Sequence, residues 1–177
     1  MTNSTETNTM KRLLPSLVLL FVLVQCDTKE KESLVQKSWQ GREVSTQVLD
    51  SLEFGKSYLS VYSQVYSFSE ERIHSLTSLI SFRNTSEKDT MYLLRAEYYD
   101  EKGKSVKDYV EQPVFLAPLE TLEILLTEDD LSSGSGNNFI IDWKIPKNSP
   151  EPLFEAVMNS TLGQQGLSFT TQAKRIE

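Results

Sequence analysis

Apolar residues recur at every second position along most of this chain. Phe139, Ile141, Trp143 and Ile145 form the cleanest stripe. Leu59, Val61 and Val65 repeat the period, as do Leu76, Ser78, Ile80 and Phe82, then Tyr92, Leu94, Ala96 and Tyr98, then Leu122, Ile124 and Leu126. Successive side chains of an extended strand point to opposite faces, so a period of two describes strands with one face buried. A surface helix would space its apolar residues by three and four, and no segment after Ser57 does so convincingly. Turn signals separate the stripes. Asp100 to Lys104, with Gly103, joins the Tyr92–Tyr98 strand to Val106–Val110 as a hairpin. Pro113 and Pro118 bracket a segment that cannot be a central strand throughout. Phe154–Met158 and Leu167–Thr171 close the series. The pattern predicts an all-β domain of about eight short strands. It favours a two-sheet antiparallel sandwich of immunoglobulin-like type, with Trp143 in the core.

The first 25 residues follow a different logic. Lys11 and Arg12 precede an apolar run from Leu13 to Val24, broken by Pro15 and Ser16. Such a run fits the hydrophobic part of a signal peptide and falls short of the ~20 apolar residues that span a bilayer. It ends in Leu23-Val24-Gln25-Cys26, which resembles the processing site of bacterial lipoproteins; there the Cys becomes the first mature residue and carries the lipid. Gln25 departs from the small residue usual before the Cys. Cys26 is the one cysteine in the sequence, so no intramolecular disulfide can form. The expected organisation is a signal peptide over 1–25, a lipidated Cys26 with a polar tether over 26–43, and the β-domain over 44–177. Lipidation at Cys26 would hold the chain to a membrane of the cell envelope.

Charge narrows the partners. The chain carries 18 basic and 25 acidic residues, a formal charge of -7. Removing the leader takes away Lys11, Arg12 and Glu6 and leaves a net charge of -8. An acidic surface repels nucleic acid, so no nucleic-acid partner is expected. One histidine, and no cysteine within the domain, leave few ligands for a transition metal, and no cofactor is expected.

Three places invite a functional reading. Glu128, Asp129 and Asp130 begin a Ser/Gly-rich stretch that ends in Asn137 and Asn138. Hard cations such as Ca²⁺ seek such oxygen donors, although the spacing is not that of an EF-hand. The plainer reading is a solvated turn. Tyr58, Tyr62 and Tyr66 fall on one face if the strand runs unbroken. Exposed, they would offer an aromatic contact face to a glycan or a protein; otherwise they pack on the opposing sheet. His74 stands beside Glu70, Glu71 and Arg72 with no nucleophile or metal motif around it, and reads as a surface histidine. The Thr161–Gly166 stretch has two glycines but no following helix, which a phosphate loop needs. Asn84 and Asn159 match the glycosylation acceptor pattern and are taken as chance.

Several blocks in order resemble a bacterial domain-of-unknown-function family, the one numbered 3124. They include Val61-Tyr62-Ser63-Gln64-Val65-Tyr66, Ile80-Ser81-Phe82-Arg83-Asn84-Thr85, Tyr98-Tyr99-Asp100 with Gly103-Lys104, and Leu116-Ala117-Pro118-Leu119-Glu120. Ser133-Gly134-Ser135-Gly136-Asn137-Asn138-Phe139, Glu155-Ala156-Val157-Met158 and Gly166-Leu167-Ser168-Phe169-Thr170 continue the likeness. It spans Gly55 to Thr171 and implies a secreted or lipid-anchored protein without an assigned activity. Without an activated nucleophile or an acid–base pair, the expectation is a non-catalytic protein-interaction module that meets another envelope protein. The alternative is a small-ligand or cation-binding domain using the 128–138 loop.

Overall fold

The computed structural model describes residues 39–45, 49–127, 135–160 and 166–177. Cys26, the leader, most of the tether and Glu128–Asp130 lie outside them. The described chain is all-β, in antiparallel sheets. Among the described residues there are twelve strands, more than the eight expected: β1 (Glu53–Val61), β2 (Gln64–Ser67), β3 (Ser69–Ser75), β4 (Thr77–Arg83), β5 (Met91–Tyr99), β6 (Ser105–Asp108), β7 (Val114–Leu116), β8 (Thr121–Leu126), β9 (Asn137–Ile145), β10 (Leu153–Ser160), β11 (Leu167–Gln172) and β12 (Lys174–Arg175). A six-stranded sheet runs β12-β1-β9-β5-β6, with β7 also on β5; a four-stranded sheet runs β11-β10-β4-β8; β2 and β3 pair with each other. The chain changes sheets across Ala173, between β11 and β12.

The stripes read from the sequence face inward except in the first half of β5, where a register shift between Leu93 and Arg95 buries Met91 and Leu93 in place of Tyr92 and Leu94. Phe139, Ile141, Trp143 and Ile145 of β9 join Leu59 and Val61 of β1, Ile80 and Phe82 of β4, Leu122, Ile124 and Leu126 of β8, and Phe154, Ala156 and Met158 of β10 in one core. Complete burial of a large apolar side chain contributes about 1.5–3 kcal/mol. Trp143 is held most closely. Its Nε1 donates to Ser57 Oγ at 3.0 Å, and Phe154 meets its ring edge-on at 6.5 Å. Gly55 is its register partner across β1 and β9. A Cβ at Gly55 would stand 2.2 Å from Trp143 Cζ2, so the indole lies where any side chain would go.

Two ends of the domain can be told apart by register. At one end Val61 pairs with Asn137, Tyr99 with Asn138, and Ser78 with both Leu126 and Met158. At the other, Glu53 pairs with Ile145, Met91 with Leu116, and Arg83 with Thr121 and Leu153. Asn84 organises this second end. Its buried Nδ2 donates to the carbonyls of Asp89, Leu116 and Ala117 at 2.8, 3.1 and 2.9 Å, and its Oδ1 accepts from Ser86 N at 3.0 Å. The amide that matched a glycosylation pattern is thus spent within the fold. The chain enters here too: Trp39 Nε1 donates to Glu123 O at 2.9 Å and packs edge-on against Phe82, while Glu43 bridges to Val114.

Candidate functional site

The expected single strand from Tyr58 to Tyr66 is broken. β1 stops at Val61, Ser63 O accepts from Leu76 N at 2.9 Å, and Ser78 Oγ donates to Tyr62 O at 3.1 Å. These bonds turn the chain out of the sheet, and it resumes at Gln64 as β2. The three tyrosines therefore do not share a strand face. Tyr58 is outward and 40% exposed on β1. Tyr62 packs against the core, its ring 5.8 Å from that of Phe169. Tyr66 is on β2 and exposed.

What the break creates is a hairpin. β2 and β3 pair through Gln64–Ser75, Val65–His74 and Tyr66–Ile73, with a shift of register at Tyr66/Ser67. Val65 packs against the core and anchors the base. Ser69 to Ile73 are exposed throughout. At the tip Phe68 is 96% exposed and has φ 66°, in the left-handed region that a residue with a Cβ enters at a cost of about 1–2 kcal/mol. Tyr66 and Ile73 stand exposed beside it, and the Arg72 guanidinium lies 5.8 Å from its ring centre. Glu70 and Glu71 complete the tip. Hydrogen bonds from the Ser69 side chain and from its own backbone hold the Glu71 carboxyl below the usual carboxylate range, so it is charged at neutral pH. His74 sits half-buried opposite Val65. Sequence reasoning missed Phe68, because one aromatic between two serines carries no periodicity. Its signal was its isolation: a large apolar residue with no stripe to belong to.

If Phe68 contributes nothing to the fold, its removal should be harmless. Phe68→Gly is expected to leave stability unchanged or raise it by up to about 1 kcal/mol, because glycine accepts positive φ freely. Urea denaturation of the two chains checks this. A loss above 1 kcal/mol would show that the ring supports the domain.

The 128–138 candidate divides. Its carboxylates, Glu128, Asp129 and Asp130, lie outside the described residues. Asn137 and Asn138 are consecutive on β9 and so face opposite sides, Asn137 buried and Asn138 half-exposed between Ser60 and Tyr99. They do not converge. Asn137 is 1% exposed, and neither its Nδ2 nor its Oδ1 has a hydrogen-bond partner. Among the described residues no three His, Cys, Asp or Glu side chains gather as metal ligands.

A polar network occupies the outer face of the six-stranded sheet. Arg95 donates through Nη1 to Glu97 Oε2 at 2.9 Å and through Nη2 to Asp142 Oδ1 at 3.2 Å, and Tyr99 and Ser105 donate their hydroxyls to Glu97. The Ser105 and Tyr99 hydroxyls, with Arg95, keep Glu97 below the ordinary carboxylate range. Each charge here is already answered within the sheet, which suits a structural role.

No curated protein matches the chain. A solved structure described as "Crystal Structure of Thermotoga maritima 1070" is similar at 16% identity, covering 68% of this chain and 92% of that one, with a TM-score of 0.38. A family model matches residues 55–176, more than half of the chain and nearly all of the described strands. The chain belongs to the family described as Protein of unknown function (DUF3124).

Proposed function

We propose that this chain is a lipid-anchored envelope protein, and that its domain is a non-catalytic interaction module meeting another envelope protein through the β2–β3 hairpin. The anchor reading rests on the Leu23-Val24-Gln25-Cys26 sequence after a short apolar run. The domain reading takes the two larger sheets as an antiparallel sandwich of immunoglobulin-like type, a frame that carries sites without fixing their function. One observation supports the interaction reading above others. Phe68 bears both an unfavourable φ and nearly full exposure, and packing within the chain offsets neither. Strain and apolar exposure concentrated on one residue point to a partner that covers it.

The anchor is tested by Cys26→Ser. The altered chain is expected to leave the membrane fraction, since lipid contributes about 0.8 kcal/mol per buried methylene and the acidic domain has no other strong attraction to a bilayer. Retention on washed membranes would sink the anchor.

A second reading, a small-ligand or cation-binding domain at the 128–138 end, is favoured by Asn137 alone. A buried carboxamide without partners costs about 1–3 kcal/mol until something hydrogen-bonds to it. Native mass spectrometry of the chain from its own envelope tests this reading. A bound species lost in Asn137→Ala would promote it; a bare chain would leave the interaction module standing.

A further inference from the structure

We infer that the β2–β3 hairpin seats in an apolar socket rimmed by basic side chains on a second protein, which approaches the end of the domain opposite the entry of the chain at Trp39–Glu43. The inference rests on the interaction reading above and adds to it the end of the domain that the partner meets and a partner chemistry.

Direction follows from where the chain enters and where the hairpin is built. Trp39, Arg42 and Glu43 enter beside Phe82, Phe115 and Val114, at the end defined by Glu53–Ile145 and Met91–Leu116. The hairpin leaves from Val61 and returns at Thr77, at the end defined by Val61–Asn137 and Ser78–Met158. The nine residues of β9 run between these ends, a separation of about 27 Å.

Partner chemistry follows from the tip. The Arg72 guanidinium stands 5.8 Å above the Phe68 ring and leaves it 96% exposed, so nearly the whole ring is open to a partner. Tyr66 and Ile73 widen the apolar contact. Glu70 and Glu71 flank it, exposed, on a chain of net charge -7. Carboxylates beside an apolar tip oppose insertion among anionic headgroups and favour a socket edged with Lys or Arg.

A photocrosslinking residue, p-benzoylphenylalanine, replacing Phe68 in the full chain in intact cells tests this. The expected result is an adduct with one other protein, at a peptide where apolar residues stand beside Lys or Arg. Its yield should fall at least tenfold when Glu70→Lys and Glu71→Lys are added. The same probe at Lys147, in the turn at the entry end, should not give that adduct. An adduct with phospholipid, an adduct with a second copy of this chain, or a yield indifferent to charge reversal would overturn the inference. A probe at Tyr58 on the sheet face separates the two levels. Protein adducts there with none at 68 overturn the hairpin and leave the interaction module; none at either position overturns both. Fractionation of Cys26→Ser judges the anchor independently.

Discussion

Gly55→Ala is expected to cost about 3–5 kcal/mol, as much as losing a buried tryptophan, although it adds a single methyl group. The added Cβ would lie 2.2, 2.4 and 2.5 Å from Cζ2, Cη2 and Cε2 of Trp143. Real Cβ atoms do not approach that closely, so the indole must leave. It has nowhere favourable to go: its Nε1 bond to Ser57, its contact with Phe154 and the Arg175 guanidinium 5.1 Å from its ring would all be given up together. The melting temperature should drop by roughly 10–20 °C. A double variant, Gly55→Ala with Trp143→Leu, should cost less than the sum of the two single changes, because the clash vanishes with the ring. A single-variant loss below 1 kcal/mol, by urea denaturation, would show that the strands slide to make room and that the pairing is looser than its register implies.

Asn84→Ala is the second large effect, expected at about 2–4 kcal/mol. One side chain bonds three carbonyls and one amide drawn from two segments, Ser86–Asp89 and Leu116–Ala117, and it is 4% exposed. Removing it leaves the Asp89, Leu116 and Ala117 carbonyls short of a donor in a place water reaches poorly. Asn84→Asp sharpens the test. A carboxylate has the shape of the amide but cannot donate, and it would face three carbonyl oxygens. Burial and that repulsion raise its folded-state pKa above the unfolded value, so the acid form is the one the fold tolerates. The Asp variant should be destabilised at least as much as the Ala variant at pH 7, and should recover as pH falls through the raised pKa, where the protonated acid can donate once. A pH-independent deficit would mean that the site is open to solvent.

The sequence made much of the fold legible because one buried face leaves a mark at every second residue. β4, β8, β9 and β10 were readable for that reason; β5 was readable as a strand, but its register shift between Leu93 and Arg95 reverses the parity, so Tyr92 and Leu94 stand on the face opposite to Ala96 and Tyr98. β3 was not, since Ser69 to Ile73 bury nothing and so show no period. The break after Val61 was hidden by arithmetic: Tyr58, Tyr62 and Tyr66 keep the same parity, and two residues spent in a turn leave parity unchanged. Only the bonds at Ser63 O and Tyr62 O reveal that the strand has ended. For the site, adjacency was the overlooked clue. Asn137 and Asn138 are neighbours on a strand, which already forbids both from meeting one ion. Phe68 could not be weighed from sequence, because exposure and a positive φ are properties of the folded chain.

The pairing of β1 also sets the order in which this protein can fold. Its partners are β9 and β12, joined through Glu53–Ile145, Val61–Asn137 and Ser57–Arg175. A chain emerging from its amino end at about 5–20 residues per second therefore presents β1 for several seconds or more before any partner strand exists. β4 fares better with β8 but still waits for β10. Little of the core can close until the final third of the chain has appeared, and such non-local pairing is slow even then. A polypeptide built this way stays threadable through a translocation channel until it is nearly complete, and becomes compact once its last strands arrive.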